Sequence, residues 1–126
     1  MTSESAGFPC PCCGHRVHAE PPGSSRVCRI CFWEDDLSQL RWPDTTVGAN
    51  KVSLIEAQRN YAEFAVSEAR FLDKVRPPTG DETLDEGWRR IDLGVDSFED
   101  VDGELAPWPA DRTVLYWWRP GFWHRA

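Results

Sequence analysis

Two pairs of cysteines in the first third of this chain have the spacing of a metal site. Cys10 and Cys13 form one C-x-x-C pair, Cys28 and Cys31 form the other, and fourteen residues separate them. Structural Zn²⁺ takes four ligands in a closed tetrahedron, and two such pairs supply four thiolates. We therefore predict a four-cysteine Zn²⁺ site. Iron also accepts a tetrahedral sulfur cage but is less favoured, because nothing here indicates an electron-transfer partner. Disulfides are the alternative without metal.

Cys12, the fifth cysteine, lies between the members of the first pair and has several interpretations. A metal bound beside it would lower the pKa of its thiol and make it reactive. It could also exchange with Cys13 as a ligand, help to hold a second, softer ion, or be a small buried side chain that points away from the metal. His15 and His18 follow. Either could replace a cysteine or serve as a base beside an open zinc position, but four cysteines already close the shell, so both are expected near the surface.

The string Trp33-Glu34-Asp35-Asp36 comes directly after the second pair. Phe32 and Trp33 are expected to cover the metal and keep water from the sulfurs. Three consecutive carboxylates could bind a hard cation or a basic peptide. Because consecutive acids seldom converge on one ion, a solvated or helix-capping role is favoured for them.

Short elements must position these residues. The string Pro21-Pro22-Gly23-Ser24-Ser25 is a strong turn signal, and residues 16–18 and 26–27 on either side of it could pair as antiparallel strands. Strands of this length are not stable alone. The metal would therefore have to supply the missing stabilisation.

One helix is clearly predicted after a loop at 42–50. Ser53 and Glu56 form a capping box, and apolar side chains follow at helical spacing on one face: Leu54, Ala57, Tyr61, Phe64 and Ala65. Ser67 is then predicted to cap a second short helix that ends at Pro77-Pro78.

Acidic residues dominate the next segment of a chain whose formal net charge is −7. Between residues 81 and 104 stand ten acidic residues and two arginines, so this segment alone carries −8. It could be a solvated, partly disordered stretch, or it could contact a cationic partner. The apolar residues that could anchor part of it are Trp88, Ile91, Leu93, Val95 and Phe98. The carboxylates that we single out for partner binding are Asp96, Glu99 and Asp100.

An aromatic strand is predicted near the C-terminus, over residues 113–118, from its strong β-propensity. Tryptophans and arginines are interleaved there, which is typical of interface hot spots and equally of aromatic rings packed on a helix face. The candidates for partner contact are Trp117, Trp118 and Trp123.

Composition disfavours several classes of function. Binding to nucleic acid needs clustered Lys and Arg, so it is not expected of this acidic chain. No apolar run approaches the roughly 18 residues of a membrane-spanning helix, and residues 1–7 read as a disordered leader rather than a secretory signal. A cytoplasmic location is the expectation, and there paired cysteines bind metal more often than they form disulfides. The sequence contains no recognisable set of nucleophile, base and acid, so an enzyme is not expected.

Several strings together resemble the bacterial cysteine-rich CPCC-motif family. They are Cys10-Pro-Cys-Cys-Gly14, Cys28-x-x-Cys-Phe-Trp-Glu-Asp-Asp36, Gly48-x-Asn50, Ser53-Leu-x-Glu-Ala57 and Phe71-Leu-Asp-Lys-Val-Arg-Pro77. The resemblance covers about residues 8–79 and implies a small metal-binding domain. The chain has Arg29-Ile30 where the family has a proline, which does not affect ligation. Residues 80–126 lie outside the resemblance.

We therefore predict an α+β fold: a small zinc-ribbon-like domain with four cysteine ligands, one main helix and a C-terminal aromatic strand. The leader (1–7) would precede the metal-binding domain (8–79), and an acidic, Trp-rich extension (80–126) would follow it. The favoured function is a non-enzymatic structural-zinc module that binds a protein, in one specific form as an inhibitor or immunity-type partner of a basic protein. The alternative is a thiol-redox or metal-handling protein that uses Cys12.

Overall fold

Two short hairpins organise the fold, and each reverses at one cysteine pair. The computed structural model describes residues 7–96, 98 and 116. In the first hairpin, strand β1 (Phe8–Pro9) lies antiparallel to strand β2 (Arg16–His18), with an irregularity in register between the two residues of β1. Residues 10–15 connect the two strands, and we call residues 10–14 the first cysteine turn.

The second hairpin is formed by the residues on either side of the second cysteine turn, residues 28–32. Val27 bridges Glu34 in antiparallel fashion, and the Asp35 N–H donates to the carbonyl oxygen of Arg26 at 2.9 Å. The predicted pairing of 16–18 with 26–27 is therefore wrong. A C-x-x-C turn reverses the chain within a few residues, so the strands that flank it pair at a lower cost in chain entropy than strands farther apart.

Asp35 fastens the predicted turn at 21–25 to the second hairpin. Its Oδ2 accepts the N–H groups of Gly23 and Ser24 at 3.1 and 3.0 Å, and the Ser24 hydroxyl at 2.8 Å. The side chain is only 2% exposed. Burial of this carboxylate is tolerated because three donors replace its water. Asp35 is thus a buried structural residue and not a solvated one.

A short helix that the sequence pattern does not predict, α1 (Leu37–Arg41), begins after the acidic string. Asp36 is its N-cap: Oδ1 accepts the Gln39 N–H at 3.0 Å, and Oδ2 accepts the N–H of Ala49 at 2.8 Å. The helix-capping role expected of the acidic string is therefore confirmed for Asp36.

Two buried amides close the predicted loop at 42–50. Gln39 Nε2 donates to the carbonyl oxygens of three residues between 45 and 52, at 3.0 to 3.2 Å. The Asn50 side chain accepts the Glu34 N–H and donates to the Glu34 carbonyl, both at 2.9 Å. Asn50 thus pairs with Glu34 much as a neighbouring strand would, and joins the loop to the second hairpin.

The main helix, α2 (Leu54–Phe64), lies where it is predicted. Ser53 Oγ accepts the Glu56 N–H at 3.1 Å, which is the first half of a capping box. Ala57 and the first residue of the helix are fully buried, but Phe64 is 43% exposed. The predicted apolar face is therefore buried mainly at its N-terminal end.

The second predicted helix is a 3-10 helix, Ala69–Lys74, and Glu68 precedes it as N-cap residue. The predicted cap, Ser67, is buried, and its backbone N–H donates to the carbonyl oxygen of Cys31 at 2.7 Å. Because Ser67 is bound to the second cysteine turn, Glu68 takes the N-cap position and the helix begins at Ala69.

The described part of the acidic segment lies against the first hairpin. His15 bridges Leu84, and the Arg16 N–H donates to the Thr83 carbonyl at 2.9 Å. Among the predicted anchors, Leu93 and Val95 are 65% and 75% exposed. Those that pack against the core are Trp88, Ile91 and Phe98.

The core forms around the sulfur atoms. All five cysteines belong to one buried cluster, together with Ile30, Trp33, Leu40, Leu54 and Ala57. Tyr116 is also buried, and its hydroxyl donates to the Pro9 carbonyl at 2.9 Å. The rest of the predicted aromatic strand lies outside the described residues, as do residues 1–6. Within the described ranges, the helices lack the length and apolar character needed to cross a bilayer.

Candidate metal centre

Four sulfur atoms from the two cysteine turns lie together. The Sγ atoms of Cys10, Cys13, Cys28 and Cys31 are all within 4.8 Å of one another. Cys10 and Cys31 are separated by 3.6 Å, and Cys13 and Cys28 by 3.8 Å, so each close pair joins the two turns. All five cysteines are free. A disulfide bond is about 2.05 Å long, so the disulfide alternative does not describe this structure.

The spacing of the sulfurs fits a tetrahedral metal ion. At a Zn–S distance of about 2.3 Å, two sulfurs of a tetrahedron lie about 3.8 Å apart. The separations of 3.6 and 3.8 Å between the turns agree with that edge. Each of the four side chains is at most 1% exposed. Because tetrahedral thiolates suit both zinc and iron, the donor set fits a metal without identifying it.

The two turns are closed by the same pair of backbone hydrogen bonds. In the first, Gly14 donates its N–H to the Cys10 carbonyl at 2.7 Å, and Cys10 donates to the residue after Gly14 at 2.9 Å. In the second, Phe32 donates to the Cys28 carbonyl at 2.8 Å, and Cys28 donates to Trp33 at 2.9 Å. These bonds fix the direction in which each pair of sulfurs points.

The first cysteine turn is braced by two side chains that converge on one carbonyl oxygen. The Pro11 carbonyl accepts Gln58 Nε2 at 3.0 Å and the indole N–H of Trp88 at 3.1 Å. Gln58 Oε1 accepts the Ile91 N–H at 2.9 Å. The main helix and the acidic segment therefore hold the first pair of cysteines jointly.

Asp85 adds a further brace to the same turn. Its N–H donates to the Gly14 carbonyl at 2.8 Å, and its Oδ1 accepts Arg16 Nε and Nη2 at 3.3 and 3.1 Å. The residue is 5% exposed. This acidic residue thus stabilises the first hairpin.

The second cysteine turn is braced mainly by residues that follow the main helix in the sequence. Besides the bond from Ser67 to Cys31, the Arg76 N–H donates to the Arg29 carbonyl at 3.2 Å. Asn60 Nδ2 donates to the Ser67 carbonyl at 2.8 Å. The chain after the helix therefore positions the second pair.

The four thiols of the cluster differ in the direction of their pKa shifts. Burial raises the pKa of the Cys10 and Cys31 thiols. Hydrogen bonds from Cys10, Cys13 and Cys31 lower the pKa of Cys28. A divalent metal supplies the positive charge that deprotonates all of its coordinating thiols.

Cys12 lies in the same core but outside the group of four sulfurs. Its side chain is 0% exposed, as expected of the small buried side chain among its interpretations. His15 Nδ1 lies 2.7 Å from the Glu82 carbonyl oxygen. His18 is only 4% exposed, so the expectation that it lies near the surface is wrong. Its place on β2 opposite Phe8 turns it inward.

The aromatic residues after the second pair take different positions. Trp33 is 0% exposed and belongs to the cluster that contains the sulfurs. The ring of Phe32 packs against that of Phe71, with 4.4 Å between centroids. Trp33 is therefore a core residue beside the metal centre, while Phe32 connects the turn to the 3-10 helix.

Asp96 is the one candidate for partner binding that the described residues include. It is 7% exposed, and its carboxylate accepts Arg89 Nη1 and Nη2 at 2.9 and 2.6 Å and the Asp92 N–H at 2.8 Å. Burial and pairing argue against its display to a partner. The remaining candidates lie outside the described residues: Glu99, Asp100, Trp117, Trp118 and Trp123.

Sequence analysis does not assign Gln58 or Trp88 to the support of the centre. Gln58 carries a weak signal, since an amide directly after Ala57 interrupts the apolar face of a helix. Trp88 is identified only as a possible anchor, because nothing local shows that its indole reaches a residue 77 positions away.

Comparison with known families agrees with this geometry. The family model described as Cysteine-rich CPCC matches residues 8–82, and the chain belongs to this family. The match begins at strand β1 and ends at Glu82, so it includes both cysteine turns and the main helix. The resemblance to the cysteine-rich CPCC family is thereby confirmed, while a bacterial origin stays a prediction. A comparison with curated proteins gave no significant match.

Proposed function

We propose that the chain is a non-enzymatic module that binds a protein partner and is held together by one structural Zn²⁺ ion. The observation that carries the metal assignment is the closed set of four buried sulfurs, which lie within 4.8 Å of one another. A catalytic zinc keeps a coordination position for water, whereas a structural zinc has four protein ligands. The cysteine set fits the second description.

The size of the hairpins supports a structural role for the ion. The two strands of the sheet have two and three residues. An isolated pair of such strands is not stable in water. Structural Zn²⁺ contributes about 10–16 kcal/mol of apparent binding free energy in small zinc domains, which is enough to fold both turns.

Elemental analysis of the protein purified under reducing conditions tests the metal assignment. We expect one zinc per chain, and we expect far-UV circular dichroism to lose signal when a strong chelator removes it. Stoichiometric iron with a coloured thiolate spectrum would replace zinc in the proposal. A protein that contains no metal and stays folded in chelator would refute it.

The exposed carboxylates of the acidic segment support the proposal of a protein partner, although only some of the acidic residues there are exposed. Three carboxylates of the acidic segment are neutralised internally, because Glu82, Asp85 and Asp96 pair with arginines. The carboxylates of this segment that stay exposed within the described ranges are Asp81, Glu86 and Asp92. Together with the undescribed Glu99 and Asp100, they would face a cationic surface. An inhibitor or immunity-type partner of a basic protein is the specific form that we propose.

Charge reversal tests this assignment. A variant with Asp81→Lys, Glu86→Lys and Asp92→Lys should lose a partner that co-purifies from the native host at low ionic strength. The matched control reverses three exposed acids elsewhere: Asp44, Glu63 and Asp73. Equal loss in both variants would show an effect of net charge alone and would contradict the proposed surface.

The alternative thiol-redox or metal-handling function has less support. A redox-active cysteine must be accessible to its oxidant or partner thiol. Cys12 is 0% exposed and packs in the core cluster. Its environment is that of a buried structural cysteine.

A further inference from the structure

A cavity of about 440 Å³ lies between the two hairpins, away from the four sulfurs. Strand β2 and the residues that follow it supply one wall, and residues 26–29 of the second hairpin supply another. Its polar and charged lining residues are His18, Glu20, Arg26, Arg29, Arg76 and Glu82. The volume falls in the range of small-molecule sites, roughly 300–1,000 Å³.

The residues that line this cavity carry a net formal charge of +1, from three arginines against Glu20 and Glu82, although the chain as a whole carries −7. Arg76 is occupied by Glu82, which accepts its Nη1 and Nη2 at 2.7 and 2.8 Å. Arg26 and Arg29 make no ion pair within the part of the chain that the structure describes. The backbone N–H of Arg76 donates to the Arg29 carbonyl at 3.2 Å, so Arg76 and Arg29 lie side by side.

His18 adds an independent observation. It lines the cavity and is only 4% exposed, yet its Nε2 has no hydrogen-bond partner among the residues that the structure describes. Buried side-chain nitrogens are nearly always hydrogen-bonded in native proteins, and an exception often marks a missing water, ion or ligand. The guanidinium groups of Arg26 and Arg29 are donors toward an anion, and so is the imidazole in the tautomer that carries its proton on Nε2.

We propose that the cavity binds a small oxyanion, a phosphate or carboxylate group carried on a larger molecule, through Arg26 and Arg29. Guanidinium groups match both of these anions through paired N–H donors. The Arg76–Glu82 pair closes one side, and His18 supplies a further donor. The volume of about 440 Å³ leaves room for the body of the molecule beyond its anionic group.

Titration of the full, metal-loaded chain by calorimetry at low ionic strength tests this site. The probes are inorganic phosphate, glycerol phosphate and succinate. We expect saturable binding of at least one probe in the millimolar range or tighter, and at least tenfold weaker binding when Arg26→Gln and Arg29→Gln are combined. Binding of the phosphates alone assigns a phosphate ligand, and binding of succinate alone assigns a carboxylate; either outcome supports the site.

The control variant removes two positive charges from positions outside the cavity. Arg59 and Lys51 are exposed, lie outside the cavity and can be changed to Gln together. If this variant loses as much affinity as the cavity variant, the binding is general charge attraction and the proposal fails. Absence of saturable binding for all three probes also overturns it. Metal content and circular dichroism, expected to be unchanged, show that the variants stay folded.

Discussion

Gly14 and Phe32 occupy the same position in two copies of one turn, directly after the second cysteine of each pair. Both have positive φ, +80° and +69°, and each donates its N–H to the carbonyl of the first cysteine in its turn. Glycine adopts this backbone readily, whereas an L-residue with a Cβ pays roughly 1–2 kcal/mol. The second turn is therefore strained where the first is not.

Packing explains why the two positions carry different residues. At Phe32 the ring reaches Phe71, 4.4 Å away between centroids, and this contact offsets part of the backbone strain. At Gly14 the space is filled, since a Cβ there would lie 2.5 Å from Trp88 Cδ2 and 2.9 Å from Leu84 Cδ1. The acidic segment thus requires a glycine in the first turn.

We expect Gly14→Ala to destabilise the metal-loaded protein by about 2 kcal/mol or more, because backbone strain and the clash with Trp88 add together. Denaturant unfolding measures the change. Gly80→Ala is the control: apart from its chain neighbours, no atom of the described residues lies within 4 Å of an added Cβ, and the φ of Gly80 is not positive, so stability should change by less than about 0.5 kcal/mol. Equal effects of the two changes would contradict the packing described for Trp88.

Serine substitution separates the four predicted ligands from the fifth cysteine. Cys10→Ser and Cys31→Ser should each abolish stoichiometric zinc, since a buried hydroxyl is a poor substitute for thiolate. Cys12→Ser should keep one ion per chain, because Cys12 lies outside the group of four sulfurs. Metal analysis after desalting gives the answer. Loss of the ion from the Cys12 variant, together with its retention in Cys13→Ser, would exchange the roles of Cys12 and Cys13.

Thiol titration of the native, metal-loaded protein should find no fast-reacting cysteine. All five are buried, and four of them are proposed to be metal-bound. Denaturant together with chelator should then release five reactive thiols. A single fast thiol in the native protein that disappears in Cys12→Ser would instead favour the redox function.

Three aspartates offer a graded test of the acidic string and its surroundings. Asp35→Ala should cost about 3 kcal/mol, because it removes the acceptor for three donors at a site that is 2% exposed. Asp36→Ala removes the N-cap of α1 and should cost about 1 kcal/mol. Asp44→Ala, at an exposed position, should be close to neutral. A reversed order in denaturant unfolding would contradict the buried role of Asp35.

Ionisation of Tyr61 should lower the stability of the folded protein at alkaline pH. Burial, and then the negative charge of nearby Cys13 and Cys31, raises the pKa of its phenol in the folded protein. Its contribution is therefore fully present below the unfolded pKa of about 10 and declines as the pH rises above it. Denaturation midpoints between pH 9 and 12 should fall less steeply for Tyr61→Phe than for the wild type. Parallel curves would show that Tyr61 ionises equally in both states.

Local signals predict the parts of the fold that are close in sequence. The main helix is predicted correctly because its cap at Ser53 and its apolar spacing lie within one short stretch. Gly14 follows its C-x-x-C pair directly, and its φ of +80° is one that glycine adopts readily. The hairpins are mispredicted because the turn signal at 21–25 is stronger, as a local pattern, than the two-residue strand Phe8–Pro9.

The sequence by itself determined which cysteines come together, because each C-x-x-C pair converges within its own turn and four sulfurs satisfy one tetrahedral ion. Only the tertiary structure decided what surrounds them. Trp88 meets Pro11 across 77 positions of the chain, and Arg16 meets Asp85 across 69. Contacts of that range depend on how the whole core packs around the sulfurs, and no local pattern of residue types encodes them.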